Sequence, residues 1–167
     1  MKALLNAAIE ICLLRRGPQD LPTSIHLTLL AMLLNLLAGV LMVVDARLGL
    51  LRAFLQTLFE LALMLGVLYA VLRLKGRLPR FNQAATALML SGFLLGMLAL
   101  PLVTWGQQSQ SAESGLLLLA VFTWGIVVFG HIIRHTFDWS MNVGIAAALL
   151  YTLFAWNLVA VFFPVPV

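Results

Sequence analysis

Five long apolar stretches dominate the chain, and short segments between them carry most of its polar residues. A helix needs about 20 predominantly apolar residues to cross the hydrocarbon core of a bilayer, because each residue advances it by about 1.5 Å. The stretches therefore predict five transmembrane helices, and the segments between them are too short to hold a folded domain. The predicted spans are residues 25–44, 48–72, 82–104, 116–133 and 139–163.

The composition supports the same fold. Of the 167 residues, 63% are hydrophobic and 10% are charged, whereas soluble domains are about 45–50% apolar and about 25% charged. A soluble globule of this size could not bury so much apolar surface. We therefore predict an all-α, polytopic membrane helix bundle, which excludes a disordered chain, a disulfide scaffold and a conventional soluble enzyme.

The residues before the first span predict a separate amphipathic element. Lys2, Asn6 and Glu10 follow one another at intervals of four, and the opposite side is apolar. This spacing predicts a short helix over residues 2–16 that lies in the plane of the membrane interface. A glycine–proline pair ends the helix and begins an elbow, which completes a predicted cytoplasmic region of residues 1–24.

The distribution of basic residues predicts the orientation of the bundle. Lys and Arg concentrate in cytoplasmic loops. With the N-terminus inside, eight of the ten basic residues face the cytoplasm. These eight are Lys2, Arg15, Arg16, Arg73, Lys75, Arg77, Arg80 and Arg134, while Arg47 and Arg52 lie outside. We expect a cytoplasmic N-terminus, an outer C-terminal tail of residues 164–167, and a bacterial inner membrane as the location.

Glu60 is the most unusual polar residue of the predicted spans, because it lies near the middle of the second one, where a charge is energetically costly. Arg52 and Gln56 precede it at four-residue intervals, so the three share one helix face. Arg52 and Glu60 are separated by about 12 Å along the helix and cannot pair directly. Gln56 can bridge part of that distance.

The midpoints of the other four spans also carry polar residues, namely Asn35, Ser91, Thr123 and Tyr151. If these face inward, the bundle has one polar layer at mid-membrane. Under a functional interpretation, Glu60 binds a proton, a cation or a substrate amine, with Gln56, Asn35 and Tyr151 beside it. Under a structural interpretation, Glu60 is protonated and hydrogen-bonds Asn35 or Tyr151 to hold the helices together.

Two polar segments are candidates for contact with a partner or with lipid. Arg15, Arg16 and Asp20 form a docking site under one interpretation, which binds either a partner protein or anionic lipid headgroups. Under the other interpretation they belong to a rigid elbow. Arg77 and Arg80 belong to a basic loop that either anchors the topology or contacts anionic lipid.

Gly92 and Gly96 form a GxxxG pattern, which permits close approach of helices either in a homo-oligomer or within the bundle.

The inventory of reactive residues argues against catalysis. A single cysteine, Cys12, excludes an internal disulfide and a cysteine-rich metal site. His131 and His135 lie one helical turn apart, but the chain has three histidines in all, so we interpret the pair as interfacial anchors. No catalytic motif or phosphate loop is present. We expect no enzyme activity, no metal or other cofactor, and no nucleic acid binding.

A five-span plan with the N-terminus inside resembles the membrane domain of Yip1-type proteins, over residues 25–163. The segment that begins at Gly17 and Pro18 is loosely similar to the acidic, Gly-Pro-containing segment ahead of the spans in that family. This resemblance implies a role in membrane traffic or organisation.

We therefore expect a scaffold or accessory subunit that contacts other membrane proteins, a second copy or lipid. The alternative is a small permease or channel component that uses Glu60.

Overall fold

The computed structural model describes residues 2–44, 49–109 and 112–164, and within these ranges it contains six α-helices and no strand. Two short 3₁₀ turns, Pro18–Asp20 and Leu78–Arg80, precede the first and third long helices. The α-helices are α1 (Lys2–Cys12), α2 (Ile25–Val43), α3 (Leu50–Leu74), α4 (Phe81–Ser109), α5 (Ala112–Phe137) and α6 (Met141–Phe162). All five helices from α2 to α6 are long and apolar enough to span a membrane. The predicted fold class is confirmed.

The helices that contain the third and fourth predicted spans extend into the segment that was expected to connect them. Residues 105–115 were predicted as a polar loop, but α4 continues to Ser109 and α5 begins at Ala112. With 29 residues, α4 is about 43 Å long and exceeds the hydrocarbon thickness of about 30 Å. Its last turns therefore extend beyond the apolar region. The predicted turn at 45–47, with Arg47, and tail residues 165–167 lie outside the described part of the chain.

Helix α4 is the centre of the bundle. It packs against α2 on one side and against α5 on the other. Helix α3 packs against α2, and α6 packs against α5. Residues 84–91 of α4 are all buried. Three of them are alanines, whose small side chains let neighbouring helices approach closely. The outer helices α3 and α6 bury the smallest share of their surface, so most of their side chains face lipid.

Helix α1 is shorter and more firmly attached than the sequence suggested. It ends at Cys12, not at residue 16. The chain reverses through Leu14 at φ 60°, and the N–H of Arg15 donates to the carbonyl of Glu10 (2.8 Å) in a Schellman-type cap. Its apolar side, with Ile11 buried, packs against α4 and α5.

Hydrogen bonds from α4 and α5 hold α1 and the elbow in place. The indole N–H of Trp124 donates to the carbonyl of Cys12 (3.0 Å), and His131 donates from Nε2 to the carbonyl of Arg16 (2.9 Å). Gln83 donates to the carbonyl of Leu21 (2.9 Å). The elbow, the Leu78–Arg80 turn and the α5–α6 turn meet at one end of the bundle, which we call the basic end.

A candidate binding cavity between α3 and α6

A cavity of about 410 Å³ lies inside the bundle, with side chains from all five long helices around it. Much of its wall is apolar, as in the rest of the bundle. Six polar side chains, however, line it at the middle level of the helices. They are Asn35, Thr57, Glu60, Ser91, Tyr151 and Thr152. The structure therefore places Glu60 and three of the other predicted midpoint residues, Asn35, Ser91 and Tyr151, around one space.

Glu60 reaches this cavity from α3, about 15 Å from the first residue of that helix. Gln56 lies one turn earlier and donates from Nε2 to Oε1 of Glu60 (3.1 Å). Gln56 does not line the cavity, so it contacts the carboxyl group of Glu60 from outside the cavity. Arg52 turns the other way and donates to the carbonyl of Pro164. Arg52 and Glu60 therefore do not pair, as the helical spacing predicts.

The amide and aliphatic hydroxyl groups of the cavity donate to helix backbones, and the tyrosine ring packs against another ring. Asn35 donates from Nδ2 to the carbonyl of Met89 on α4 (3.2 Å), and not to Glu60. Ser91 donates to the carbonyl of Leu88 (3.1 Å) within its own helix. The ring of Tyr151 stands edge-on to Phe129, with 5.4 Å between the ring centroids. These contacts hold the side chains in place around the cavity.

Gly92 and Gly96 form part of the wall where α2 crosses α4. A Cβ added at Gly92 would collide with Nδ2 of Asn35, and one at Gly96 would lie 3.6 Å from Cβ of Ala38. Of the two roles predicted for this GxxxG pattern, the structure places the glycines in packing within the bundle. The absent side chain at Gly92 is also what leaves space for Asn35 to reach α4.

One of the midpoint residues does not belong to this layer, and two residues that do belong to it were missed. Thr123 lies at the midpoint of its predicted span, but it is exposed on α5 and donates to the carbonyl of Leu119 (2.8 Å). Thr57 and Thr152 line the cavity instead. Thr57 could have been found, because it lies three residues before Glu60 and so shares its helix face.

Two apolar chambers adjoin the polar cavity. One, of about 430 Å³, shares Leu95, Gly125 and Phe129 with it. The other, of about 170 Å³, shares Met64 and Tyr151 with it. The arrangement is a polar centre with an apolar space on each side. A space of this kind can hold a molecule with a polar group and an apolar body.

The candidate residues at the basic end pair within the protein. Arg77 forms an ion pair with Asp138, and Arg80 donates to the same carboxylate (3.2 Å) and to the carbonyl of Thr136 (2.9 Å). Because Arg80 and Arg77 both donate to it, the pKa of Asp138 lies below its ordinary value of 3.8. These bonds tie the α3–α4 loop to the end of α5. A cavity of about 240 Å³ lies beside them.

The elbow candidates are also largely committed to internal contacts. Arg16 forms an ion pair with Glu10 (2.6 Å), and the carboxylate of Asp20 accepts a hydrogen bond from the N–H of Gly17 (3.0 Å). Arg15 is exposed. Gly17 and Pro18 are buried, so the segment has the contacts of a rigid elbow.

His131 and His135 lie side by side on α5, with 4.6 Å between their ring centroids. Residues 2–44, 49–109 and 112–164 bring together no group of three or more His, Cys, Asp and Glu side chains that could hold a metal ion.

The five apolar helices and the cavity within them define an integral membrane protein whose polar centre lies inside its helix bundle. No protein-family model, curated protein or solved structure matches this chain at a significant level.

Proposed function

We propose that the protein binds a small cationic or hydrogen-bonding ligand in the Glu60 cavity, and that it acts as a permease or as the binding component of one. One observation supports this proposal above the others: six polar side chains from α2, α3, α4 and α6 surround a single cavity in an otherwise apolar bundle. An ionisable residue inside a membrane bundle is costly and commonly serves binding or transport.

The charge of the cavity favours a cation. Among the described residues that line it, Glu60 is the one acid and there is no Lys, Arg or His. In a region of low dielectric constant, a single carboxylate strongly favours a proton or another positive charge beside it. The amide and hydroxyl groups of Asn35 and Tyr151 add hydrogen-bonding capacity. The proposal includes no catalytic step, because the cavity contains no nucleophile–base pair.

The orientation of the chain is part of the same proposal. The eight-to-two distribution of basic residues favours a cytoplasmic basic end and an inner membrane location. With this orientation, Arg52 and Pro164 lie at the outer end of the cavity. Five helices offer little room for a central aqueous route, so transport would require an oligomer or a rocking movement of α3 and α6.

A flux assay in proteoliposomes tests this function. The purified protein is reconstituted, and the entry of protons and of methylammonium is followed with a pH-sensitive dye trapped inside. We expect flux above that of empty vesicles, and a loss of most of this flux in Glu60→Gln. Glu113→Gln is the matched control, because Glu113 is an exposed acid in the first turn of α5. It should behave like the unmodified chain.

Two results would count against the proposal. One is a folded Glu60→Gln variant with unchanged flux, and the other is an unmodified protein with no flux above the background. Size-exclusion elution and helical circular dichroism establish whether each variant is folded. These controls separate loss of function from loss of structure.

A scaffold or accessory subunit is the second candidate. It is favoured by a row of leucines on α2, each of which exposes more than half of its surface: Leu29, Leu33, Leu37 and Leu41. Such a row can contact a partner helix as well as lipid. The resemblance to Yip1-type proteins implies the same kind of role, and exposed Arg15 is available to a partner or to anionic headgroups. A stoichiometric partner in a gentle-detergent purification, lost on replacement of these leucines by alanine, would support it.

A further inference from the structure

We infer that the ligand of the Glu60 cavity is a lipophilic cation that enters sideways from the bilayer, through the gap between α3 and α6. This inference rests on the proposed function, because it names the chemical class of ligand for the same cavity. Three observations support it: the lateral opening of the cavity, the apolar chambers on both sides of the polar centre, and the single acidic residue of the cavity.

The gap follows from how α3 and α6 meet. Among the described residues, their ring contacts and their hydrogen bond involve the end of α6 and the residues that follow it. The ring of Phe59, which directly precedes Glu60, lies 5.3 Å from that of Phe162 and 5.7 Å from that of Phe163, and Arg52 donates to Pro164. Towards the middle of the bundle, the cavity itself separates the two helices. Its walls there are Glu60, Leu61 and Met64 on α3, and Tyr151, Ala155 and Trp156 on α6.

The exposure of the cavity wall on α3 and α6 indicates where the space opens. Glu60 and Leu61 on α3, and Tyr151 and Ala155 on α6, line the cavity and are only partly buried. Because these residues lie at mid-helix, the surface onto which the cavity opens is surrounded by lipid tails and not by water. A molecule already dissolved in the bilayer can therefore reach Glu60 without passing through either end of the bundle.

The two adjoining chambers suit the apolar part of such a molecule. The larger is lined by Leu95, Leu118, Val121, Phe122 and other apolar residues. At its edge the rings of Phe122 and Trp156 stack, with 5.3 Å between their centroids. Aromatic faces attract organic cations through their quadrupole. The polar cavity and these chambers together fall in the size range that holds a drug-sized molecule.

The polar centre selects the charge of the ligand. A single carboxyl group, held by Gln56, lies next to apolar chambers, and no Lys, Arg or His side chain is present among the described residues of the cavity. An anion would meet Glu60 without a compensating charge, whereas a cation would neutralise it inside the membrane. A small hydrophilic cation would neutralise it as well but would leave the chambers empty. The combination favours one positive charge on an apolar body.

The test compares two monovalent cations that differ in their apolar area. The full-length protein is placed in nanodiscs of zwitterionic lipid. Binding of radiolabelled tetraphenylphosphonium and of tetramethylammonium is measured by equilibrium dialysis, with empty nanodiscs subtracted. We expect saturable binding of one tetraphenylphosphonium per chain. Tetramethylammonium should bind at least about tenfold more weakly, because it buries far less apolar surface.

Variants separate the role of the charge from that of the chamber. Glu60→Gln should weaken tetraphenylphosphonium binding by about tenfold or more, since it removes the one acid of the cavity, and Glu113→Gln should leave binding unchanged. Ala99→Leu tests the larger chamber, because Ala99 lines that chamber and not the polar cavity. The larger side chain should fill part of the apolar space. It should weaken tetraphenylphosphonium binding and leave Glu60-dependent proton flux intact.

The outcomes distinguish this inference from the proposed function. Equal, Glu60-dependent binding of the two cations would overturn lipophilic selection and leave the proposed function standing. Proton flux that depends on Glu60, with no binding of either cation, would do the same. Tetraphenylphosphonium binding that Glu60→Gln does not change would overturn the inference. Absence of both binding and flux would overturn the inference and the proposed function together.

Discussion

The basic end and the middle of the bundle differ in how closely their helices pack. At the basic end, α1 and the elbow cover α4 and α5, and residues 84–91 of α4 are entirely buried. In the middle, α3 and α6 stand apart, with a cavity of about 410 Å³ between them. The difference shows that one end of the bundle supplies most of the close packing. The open region can therefore contain a polar centre, because the close packing that stabilises the fold is mainly elsewhere.

Two glycines mark a close helix contact and an exposed helix face. A Cβ at Gly130 would lie 2.7 Å from the backbone N and Cα of Ile145, so α5 and α6 touch near the basic end. A Cβ at Gly66, which is exposed on α3, would meet nothing within 4 Å. The same added methyl group therefore reports on packing between α5 and α6 at Gly130 and on the exposed face of α3 at Gly66.

The largest expected effect concerns Cys12, which lies in the closely packed region. Burial raises the pKa of its thiol to about 11. Because the thiolate is the reactive form, Cys12 should react with N-ethylmaleimide roughly a hundredfold more slowly near neutral pH than an exposed thiol does. The rate should rise as the pH rises towards that pKa. Mass spectrometry of timed samples measures it.

An exposed cysteine provides the comparison for this prediction. In a Cys12→Ala background, Glu113→Cys places a thiol at an exposed position in the first turn of α5. It should react faster than Cys12 with the same reagent, because an exposed thiol ionises more readily than a buried one. Equal rates at the two positions would contradict the burial of Cys12.

Truncation of a buried side chain on α1 should have the next largest effect. Ile11 exposes only 1% of its surface. Ile11→Ala should lower the free energy of unfolding by about 2–5 kcal/mol, because it leaves a cavity against α4 and α5. The measurement is a titration with sodium dodecyl sulfate followed by circular dichroism. Ile9→Ala is the control, since Ile9 is 40% exposed; a similar loss in both variants would show that α1 is not docked.

The glycine pair sharpens the same comparison with a smaller effect. Gly130→Ala should cost about 1–3 kcal/mol of unfolding free energy, because α5 and α6 must separate to fit the methyl group. Gly66→Ala should instead stabilise the protein by about 0.5–1 kcal/mol through its better helix propensity. Both values come from the same detergent titration. A stable Gly130→Ala variant would mean that the basic end is looser than the structure shows.

The smallest effect is expected for Asp138, which pairs with exposed arginines. Its folded-state pKa is below 3.8, since Arg80 and Arg77 donate to it. The stability from these bonds is therefore fully present above about pH 3.8 and is lost as the pH falls through the lowered value. Asn tolerates the left-handed backbone that Asp138 adopts at φ 56°, so Asp138→Asn should lower the melting temperature slightly near neutral pH. The difference should vanish in acid; a constant difference would contradict the pairing.

The sequence alone predicted the parts of this fold that depend on local composition. The number of spans followed from the length of each apolar stretch, and the depth of Asn35, Ser91 and Tyr151 followed from their positions within those stretches. The contact between Gln56 and Glu60 follows from helical spacing, because residues four apart lie on one face. These predictions need only the geometry of a single helix.

Only the tertiary structure determined which side of each helix faces inward. Apart from the face of α3 that carries Gln56 and Glu60, the spans are apolar around most of their circumference, so polar residues do not mark which side meets lipid. Thr123 faces outward and Thr57 faces inward for this reason, although both are polar residues in apolar helices. The docking of α1, the gap between α3 and α6, and the two apolar chambers also depend on contacts between distant parts of the chain. In a bilayer such contacts depend on the fit of side-chain shapes and on hydrogen bonds between helices, which composition and periodicity do not encode.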